Sequence, residues 1–388
     1  MSPPCESYLD AGQLDHGETF YPLHVRICAE CLLVQLPAYI GADEIFSHYA
    51  YFSSYSDSWV AHAKRFVDQA AARLRLGADS FVVEVASNDG YLLQYVVARG
   101  IRCLGVEPAA NVAEAALSKG IPTEVAFLGA DTGAKIAAEN GPAELVVANN
   151  VLAHVPDIVD FANGLRALAA DTGYVSIEIP YLLELIAHRE YDTIYHEHFS
   201  YLSLLTTQRA LAAAGLTVVD VEQLPTHGGS LRTWSTPTAN AGPPSEAVAR
   251  VLAAENAAGL HTLEGHAGFS TAVAEVRNDL VTFLIDASRR GATAAAYGAP
   301  GKGNTLLNHC GIRPDLLSFT VDRNPFKHGK FLPGTHIPIH DVGYLAQAQP
   351  DYILILPWNL RDEIADQLAY TREWGAQLVV PLPKLEVF

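Results

Sequence analysis

Four apolar segments dominate the middle of the chain: "FVVEVA", "CLGVEP", "LVVANN" and "YVSIEIP", with alanine-rich stretches of helical period between most of them. Runs this short, closed by polar or turn-forming residues, read as buried strands. Strands alternating with helices leave few packing solutions, and the expectation is an α/β fold with a doubly wound, Rossmann-like parallel sheet. A leading helix, "WVAHAKRFVDQAAARLRLG", opens the region. The βα pattern restarts near the end with "TAAAYGAPGKGNTLLNHCG", "LSFTVDRNP", "DYILILPWNLRDEIADQL" and "QLVVPLP", which predicts a second, smaller Rossmann-like domain. The 388 residues exceed one ordinary core. The predicted organisation is a cysteine- and aromatic-rich module over 1–70, a first α/β domain over 71–240, a helical connector over 241–291 and the second α/β domain over 292–388.

Charge and hydropathy narrow the function classes. Lys and Arg number 25 against 43 Asp and Glu, a net charge of −18, which argues against nucleic-acid binding. A small anionic substrate stays open if cations gather locally. The longest apolar runs, such as "LVVA" and "YILIL", are too short to span a bilayer. The opening "MSPPCESYLDAGQLDHGE" is polar and shows no secretory signal, so a cytoplasmic location is expected. Of five scattered cysteines, only Cys28 and Cys31 in "CAEC" form a close pair, a usage that suits a reducing compartment.

In open α/β sheets ligands bind beyond the carboxyl ends of the strands. That rule puts Asn88, Asp89 and Gly90 of "EVASNDG" in the crevice, with Glu107 at the end of the next strand placed for a ribose. The G-x-G-x-x-G pattern is absent, which weakens an NAD or FAD reading. An acidic turn of Glu84, Asp89 and Glu107 suits a cationic nucleoside better than a diphosphate, and S-adenosylmethionine is such a ligand. A purely structural turn is the equal alternative at this point.

"YDTIYHEHFSY", Tyr191–Tyr201, places two histidines around a glutamate among three tyrosines. His196 and His198 in an extended segment would suit zinc or iron, with His188 or Asp192 as third ligand, yet catalytic zinc generally needs three protein ligands. The same residue types suit proton transfer, a histidine base beside a carboxylate. A hydrogen-bonded aromatic corner is the plainest reading. A helical segment would put Tyr195 and His198 on one face; an extended one would pair Tyr195 with Glu197 and His196 with His198. Further on, "HGGSLR" (His227, Gly228, Gly229, Arg232) and "YGAPGKGNTLL" (Lys302, Asn304) offer glycine turns and a helix start suited to phosphate. The second lacks the Walker A spacing. "DRNPFKHGKFLPG" gathers Arg323, Lys327, His328 and Lys330, a local cation cluster.

Together with "EVASNDGYLL", "NNVLAHVPD" and "LPWNLRDEI", these motifs run in the order found in the sugar C-methyltransferases, which the chain resembles over nearly its whole length. These are S-adenosylmethionine-dependent enzymes acting on nucleotide-linked 4-keto-deoxysugars. The resemblance implies a zinc-binding N-terminal module, a methyltransferase domain and a C-terminal Rossmann-like domain. It implies that Glu84, Asn88, Asp89, Gly90, Glu107 and Asn149 or Asn150 line the methyl-donor site, with Tyr51, Ser53 and Tyr55 covering it. It also implies that Tyr195, Glu197, His198 and His154 surround the reacting sugar carbon.

Carbon methylation needs an enolate, so His198 is expected as base, Tyr195 and Glu197 as its helpers, and His154 as a donor to the sugar or enolate oxygen. His196, His227, Gly228, Gly229, Arg232, Lys302, Asn304, Arg323 and Lys327 are expected to hold a nucleotide-diphosphate sugar. An O- or N-methyltransferase, or a non-catalytic binding protein, is the alternative. The family's zinc module uses two C-x-x-C pairs, but here only Cys28 and Cys31 match the second. Cys5 aligns where the family's cysteine is not a ligand. The coding sequence then starts upstream of Met1, or half the zinc site is lost, with His16 and His24 the available substitutes.

Overall fold

The computed structural model describes residues 1–41, 45 and 52–388, and these divide into two compact units. The first holds residues 27–181 and 199–262. Its sheet has seven strands: β1 (Phe81–Val85), β2 (Arg102–Val106), β3 (Thr123–Glu124), β4 (Ala143–Asn149), β5 (Ala169–Pro180), β6 (Leu216–Leu224) and β7 (Ser230–Pro237). They lie in the order β3-β2-β1-β4-β5-β7-β6. The first five are parallel; β7 runs antiparallel to both its neighbours. All five residues of β1 are buried, as a strand covered on both faces requires. Because β1 sits between β2 and β4, the winding reverses there and leaves a crevice at the carboxyl ends.

Helix α1 (Asp57–Leu74) begins where the Ser56 hydroxyl accepts the Trp59 amide and ends at Arg75 in the left-handed region. Its buried stripe, His62, Ala63, Phe66, Val67 and Ala70, recurs at helical spacing. Phe66 stacks on Trp234 of β7 at 5.8 Å. A side chain of that size contributes roughly 1.5–3 kcal/mol on burial.

The second unit holds residues 1–26, 182–198 and 263–388. Its strands are β8 (Ala294–Tyr297), β9 (Thr320–Val321), β10 (Ile339–His340), β11 (Tyr352–Ile355), β12 (Gln377–Val380) and β13 (Glu386–Val387). The order is β10-β9-β8-β11-β12-β13, parallel except for β13. The loop after β8 opens helix α3 (Gly301–Cys310). Leu280 and Leu284 of helix α2 (Phe269–Arg289) pack in the same core, as does Tyr191.

The compact units therefore do not follow linear cuts at 70, 240 and 291. Residues 1–26 and 182–198 return to the C-terminal sheet, and the helix Glu246–Ala257 and α2 fall in different units. Among the described residues no helix is long and apolar enough to cross a membrane.

Candidate active site

After β1 the chain turns through two non-glycine residues in the left-handed region, Ala86 (φ 55°) and Asn88 (φ 50°), before Gly90 (φ 78°). Such residues cost roughly 1–3 kcal/mol each and cluster at ligand sites. Gly90 is required twice over, since a Cβ there would lie 2.2 Å from Ile121 Cδ1. Glu107, just past β2, holds the turn: its two carboxylate oxygens accept the amides of Asn88 and Ala109, each at 2.9 Å.

Ser53 and Ser54 close over the turn. The Ser53 amide donates to Asn88 Oδ1 at 2.8 Å, and the Ser54 hydroxyl donates to Asp89. Tyr55 is 70% exposed and stacks on Phe52, away from this role; Tyr51 lies outside the described residues. Burial pushes the Glu84 carboxyl well above its usual range against the Tyr91 hydroxyl, and Glu107 and Asp89 push further. Asn149 ends β4 and is buried. Asn150 (φ 52°) donates to His227 Nε2 at 3.2 Å. Glu84, Asn88, Asp89, Gly90, Glu107 and Asn149 thus gather at the carboxyl ends of β1, β2 and β4.

Tyr191–Tyr201 passes from one unit to the other at the His198–Phe199 peptide. A short 3-10 turn, Tyr191–Thr193, is followed by a turn in which the His198 amide donates to the Tyr195 carbonyl at 2.9 Å. Residues 194–199 are neither helix nor strand, and the turn sets the Tyr195 and His198 rings 4.1 Å apart. His198 Nδ1 lies 2.7 Å from the Thr193 carbonyl. The group that orients the imidazole is a backbone carbonyl, where a carboxylate was expected.

Glu197 is turned to Cys5, whose Sγ is 3.7 Å from Oε1. Burial and Glu6 push its carboxyl up to about 7, against the Cys5 thiol. His196 is 4% exposed and packs edge-on to Tyr21 at 5.7 Å, a packed residue where a substrate contact was expected. The next residue, Phe199, donates its amide to the Ala153 carbonyl at 2.7 Å, beside His154 in the turn Leu152–His154.

Three family models match in tandem: a putative zinc binding domain over 1–46, a methyltransferase domain over 59–221 and a C-methyltransferase C-terminal domain over 225–383. The C-methyltransferase NovU of Streptomyces niveus is 38% identical over 378 residues, 97% of this chain and 89% of that protein. The chain belongs to the C-methyltransferase family. It is an S-adenosylmethionine-dependent methyltransferase. Among solved structures, PH0226 protein from Pyrococcus horikoshii OT3 has a TM-score of 0.40 at 12% identity, over 50% of this chain and 97% of that one. The CcbJ methyltransferase from Streptomyces caelestis has a TM-score of 0.36 at 12% identity, over 45% and 89%.

The turn of this C-methyltransferase fits its methyl donor. Ser87 Oγ, Asp89 Oδ1 and Asn149 Oδ1 are buried with no hydrogen-bond partner among the described residues, and buried polar atoms are rarely left so. Lys119 reaches Asp89 Oδ2 at 3.1 Å, and a ligand carrying ammonium and sulfonium charges would further offset three carboxyls buried together.

Other expected contacts are spent internally. Arg232 is 2% exposed, and its Nη2 donates to Glu178 Oε2 at 2.6 Å. The same carboxylate takes His62 Nε2 at 2.8 Å and the Thr226 hydroxyl. Burial opposes the Glu178 charge, yet His62 and Arg232 hold its carboxyl down at about 2. Asn304 donates to the Cys5 carbonyl at 2.5 Å. A Cβ on Gly301 would lie 2.8 Å from Cys5 Sγ and 3.0 Å from Glu6 Oε1, so that glycine admits the chain's own N-terminal segment. Lys302 donates to Asn359 and lies 4.4 Å over the Trp358 ring. Lys327 donates to the Ala299 carbonyl at 2.8 Å. Arg323 lines a cavity of about 370 Å³ with Tyr297, Gln367, Val342 and Leu368. His227, Gly228 and Gly229 form the turn into β7.

For zinc, Cys28 and Cys31 form a knuckle in which the amides of Cys31 and Glu30 lower the Cys28 thiol pKa. Among the described residues no group of three or more His, Cys, Asp or Glu is placed to hold a metal. The pair fits half of a closed four-ligand site. The residues the sequence reading missed are Glu178 and His62, signalled only by a charge inside the apolar "SIEIP", and Thr193 and Trp358, which lie inside the motifs "YDTIYHEHFSY" and "LPWNLRDEI" but whose own residue types marked no role.

Proposed function

We propose that this C-methyltransferase acts on a nucleotide-linked 4-keto-deoxysugar, with His198 removing the proton alpha to the ketone. One hydrogen bond carries the reading: His198 Nδ1 faces the Thr193 carbonyl at 2.7 Å. A carbonyl only accepts, so in the neutral imidazole Nδ1 holds the hydrogen and Nε2 keeps the lone pair that a base needs. The carbonyl also stabilises the imidazolium formed when the proton arrives.

Tyr195, whose ring lies 4.1 Å from that of His198, is the donor proposed for the enolate oxygen, a role for which the residue type of His154 is also suited. Glu197 is turned to Cys5 with its carboxyl raised to about 7, and its part in proton handling is proposed from its residue type. When bound, S-adenosylmethionine supplies an electrophilic methyl group on a sulfonium centre. The substrate class is supported by Arg323 at its cavity, a cation available to a diphosphate.

The test incubates the protein in deuterated water with a panel of nucleotide 4-ketosugars, with and without labelled methyl donor. Wild type is expected to exchange the alpha proton without donor and to methylate that carbon with it. His198→Gln should lower both by about 10³-fold and bind S-adenosylmethionine as wild type does. Methylation at oxygen or nitrogen without exchange would overturn the enolate reading. A fully active variant would remove His198 as base.

A further inference from the structure

Lys302 reads in sequence as a phosphate ligand, but its surroundings point elsewhere. Asp192 has no exposed surface, and its Oδ2 accepts the Trp358 indole N–H at 2.7 Å. Lys302 lies over the same indole ring, 4.4 Å from its centroid, and donates to Asn359 next to it. Burial pushes the Asp192 carboxyl up to about 6, while Lys302, Trp358 and the amides of Asp192 and Thr193 favour its charge. Glu190 is buried nearby, 3.8 Å from His188, and feels the same ammonium. Asp192 is therefore held at its carboxylate by α3 and the loop after β11. Its backbone lies in the 3-10 turn that ends at Thr193, and the Thr193 carbonyl is the one that His198 Nδ1 meets. Each link from Trp358 to the ring is a hydrogen bond, buried at Asp192 and part-buried at His198, or one peptide unit, so a shift at Asp192 is passed to the imidazole.

We propose that Asp192, held by Trp358 and Lys302, is a positioning residue that fixes the tautomer and orientation of His198, and that Lys302 serves this anchor and not a substrate phosphate. The inference rests on His198 as the base, but its first test does not. With histidine labelled in ¹⁵N and the His198 signals assigned by their loss in His198→Gln, wild type should show the Nδ1–H tautomer. Asp192→Asn and Trp358→Phe should move the ring toward Nε2–H. Wild type in the Nε2–H form, or variants that keep the wild-type tautomer, would overturn the proposal.

The second test is kinetic, with dTDP-4-keto-6-deoxyglucose as probe for alpha-proton exchange. Trp358→Phe and Lys302→Met should lower the exchange rate constant about 10–100-fold with KM changed less than about threefold. Lys302→Arg should recover most of the rate, and dTDP should bind Lys302→Met as it binds wild type. Weakened dTDP binding at an unchanged rate constant would make Lys302 a phosphate ligand and remove it from the anchor. If wild type fails to exchange any nucleotide ketosugar, the substrate reading falls, while the tautomer measurement still decides the anchor.

Discussion

Gly90 lies in the turn after β1 and Lys302 in the first turn of α3, after β8, and the contrast between them is one of surroundings. Gly90 has a local cause: a φ of 78° and Ile121 Cδ1 where a Cβ would stand. Gly90→Ala should therefore cost about 1–3 kcal/mol, read by urea unfolding, and should weaken S-adenosylmethionine binding measured calorimetrically. A variant as stable as wild type would mean the turn relaxes freely. The role of Gly90 was legible because its positive φ belongs to the turn itself; the contact with Ile121, between the following helix and strand, was not. The role of Lys302 was not. Its fate is decided by Trp358, whose partner Asp192 is 166 residues away in the chain, and no local pattern encodes that meeting. His198 lies between these cases. Residue types marked it as a base, but the carbonyl that sets its tautomer belongs to a turn that neither helical nor strand periodicity describes.

At the scale of elements, β5, β7 and α1 are joined by charge as well as by apolar packing. Arg232 lies opposite Glu178 in the antiparallel register, and α1 brings His62 to the same carboxylate. A buried pair broken on one side leaves an uncompensated charge, so Arg232→Met should cost roughly 3–5 kcal/mol. Combining Arg232→Met with Glu178→Gln should recover part of that loss, since no charge is then stranded. Urea midpoints for the two single variants and the double variant decide the matter; additive losses would deny the coupling. The strand pattern of this region was readable from runs of apolar residues, and the parallel order of β1 to β5 followed from the helices between them. The antiparallel seventh strand was not readable, because its direction depends on a partner register and not on its own period. Nor was the assignment of Arg232 to Glu178, since an arginine after two glycines carries the same sequence signal whether it faces a ligand or a strand.

Across the whole molecule, buried carboxyls displaced in opposite directions shape the response to pH. Glu190 is pushed to about 8, Glu197 to about 7 and Asp192 to about 6, each by burial first. Their folded values lie above their unfolded ones, so each contributes stability that is fully present below about pH 4 and is lost as the pH rises through 6 to 8. Glu178 is the reverse: its contribution is present above its unfolded value and lost as the pH falls toward 2. The net charge of −18 adds self-repulsion on the alkaline side. Stability should therefore peak between about pH 4 and 5 and fall as the pH rises toward 9, each unit of displacement being worth about 1.4 kcal/mol before coupling among these neighbours is allowed for. Glu190 faces Asp192, Glu184, His188 and Lys302, and it carries the largest displacement of the three. Glu190→Gln should flatten the alkaline side, raising Tm relative to wild type at pH 8.5 and leaving it unchanged at pH 4. Parallel Tm curves for the two proteins between pH 4 and 8.5 would show that Glu190 titrates normally in the folded chain, and would move the alkaline loss onto Glu197 and Asp192 beside the reacting histidine.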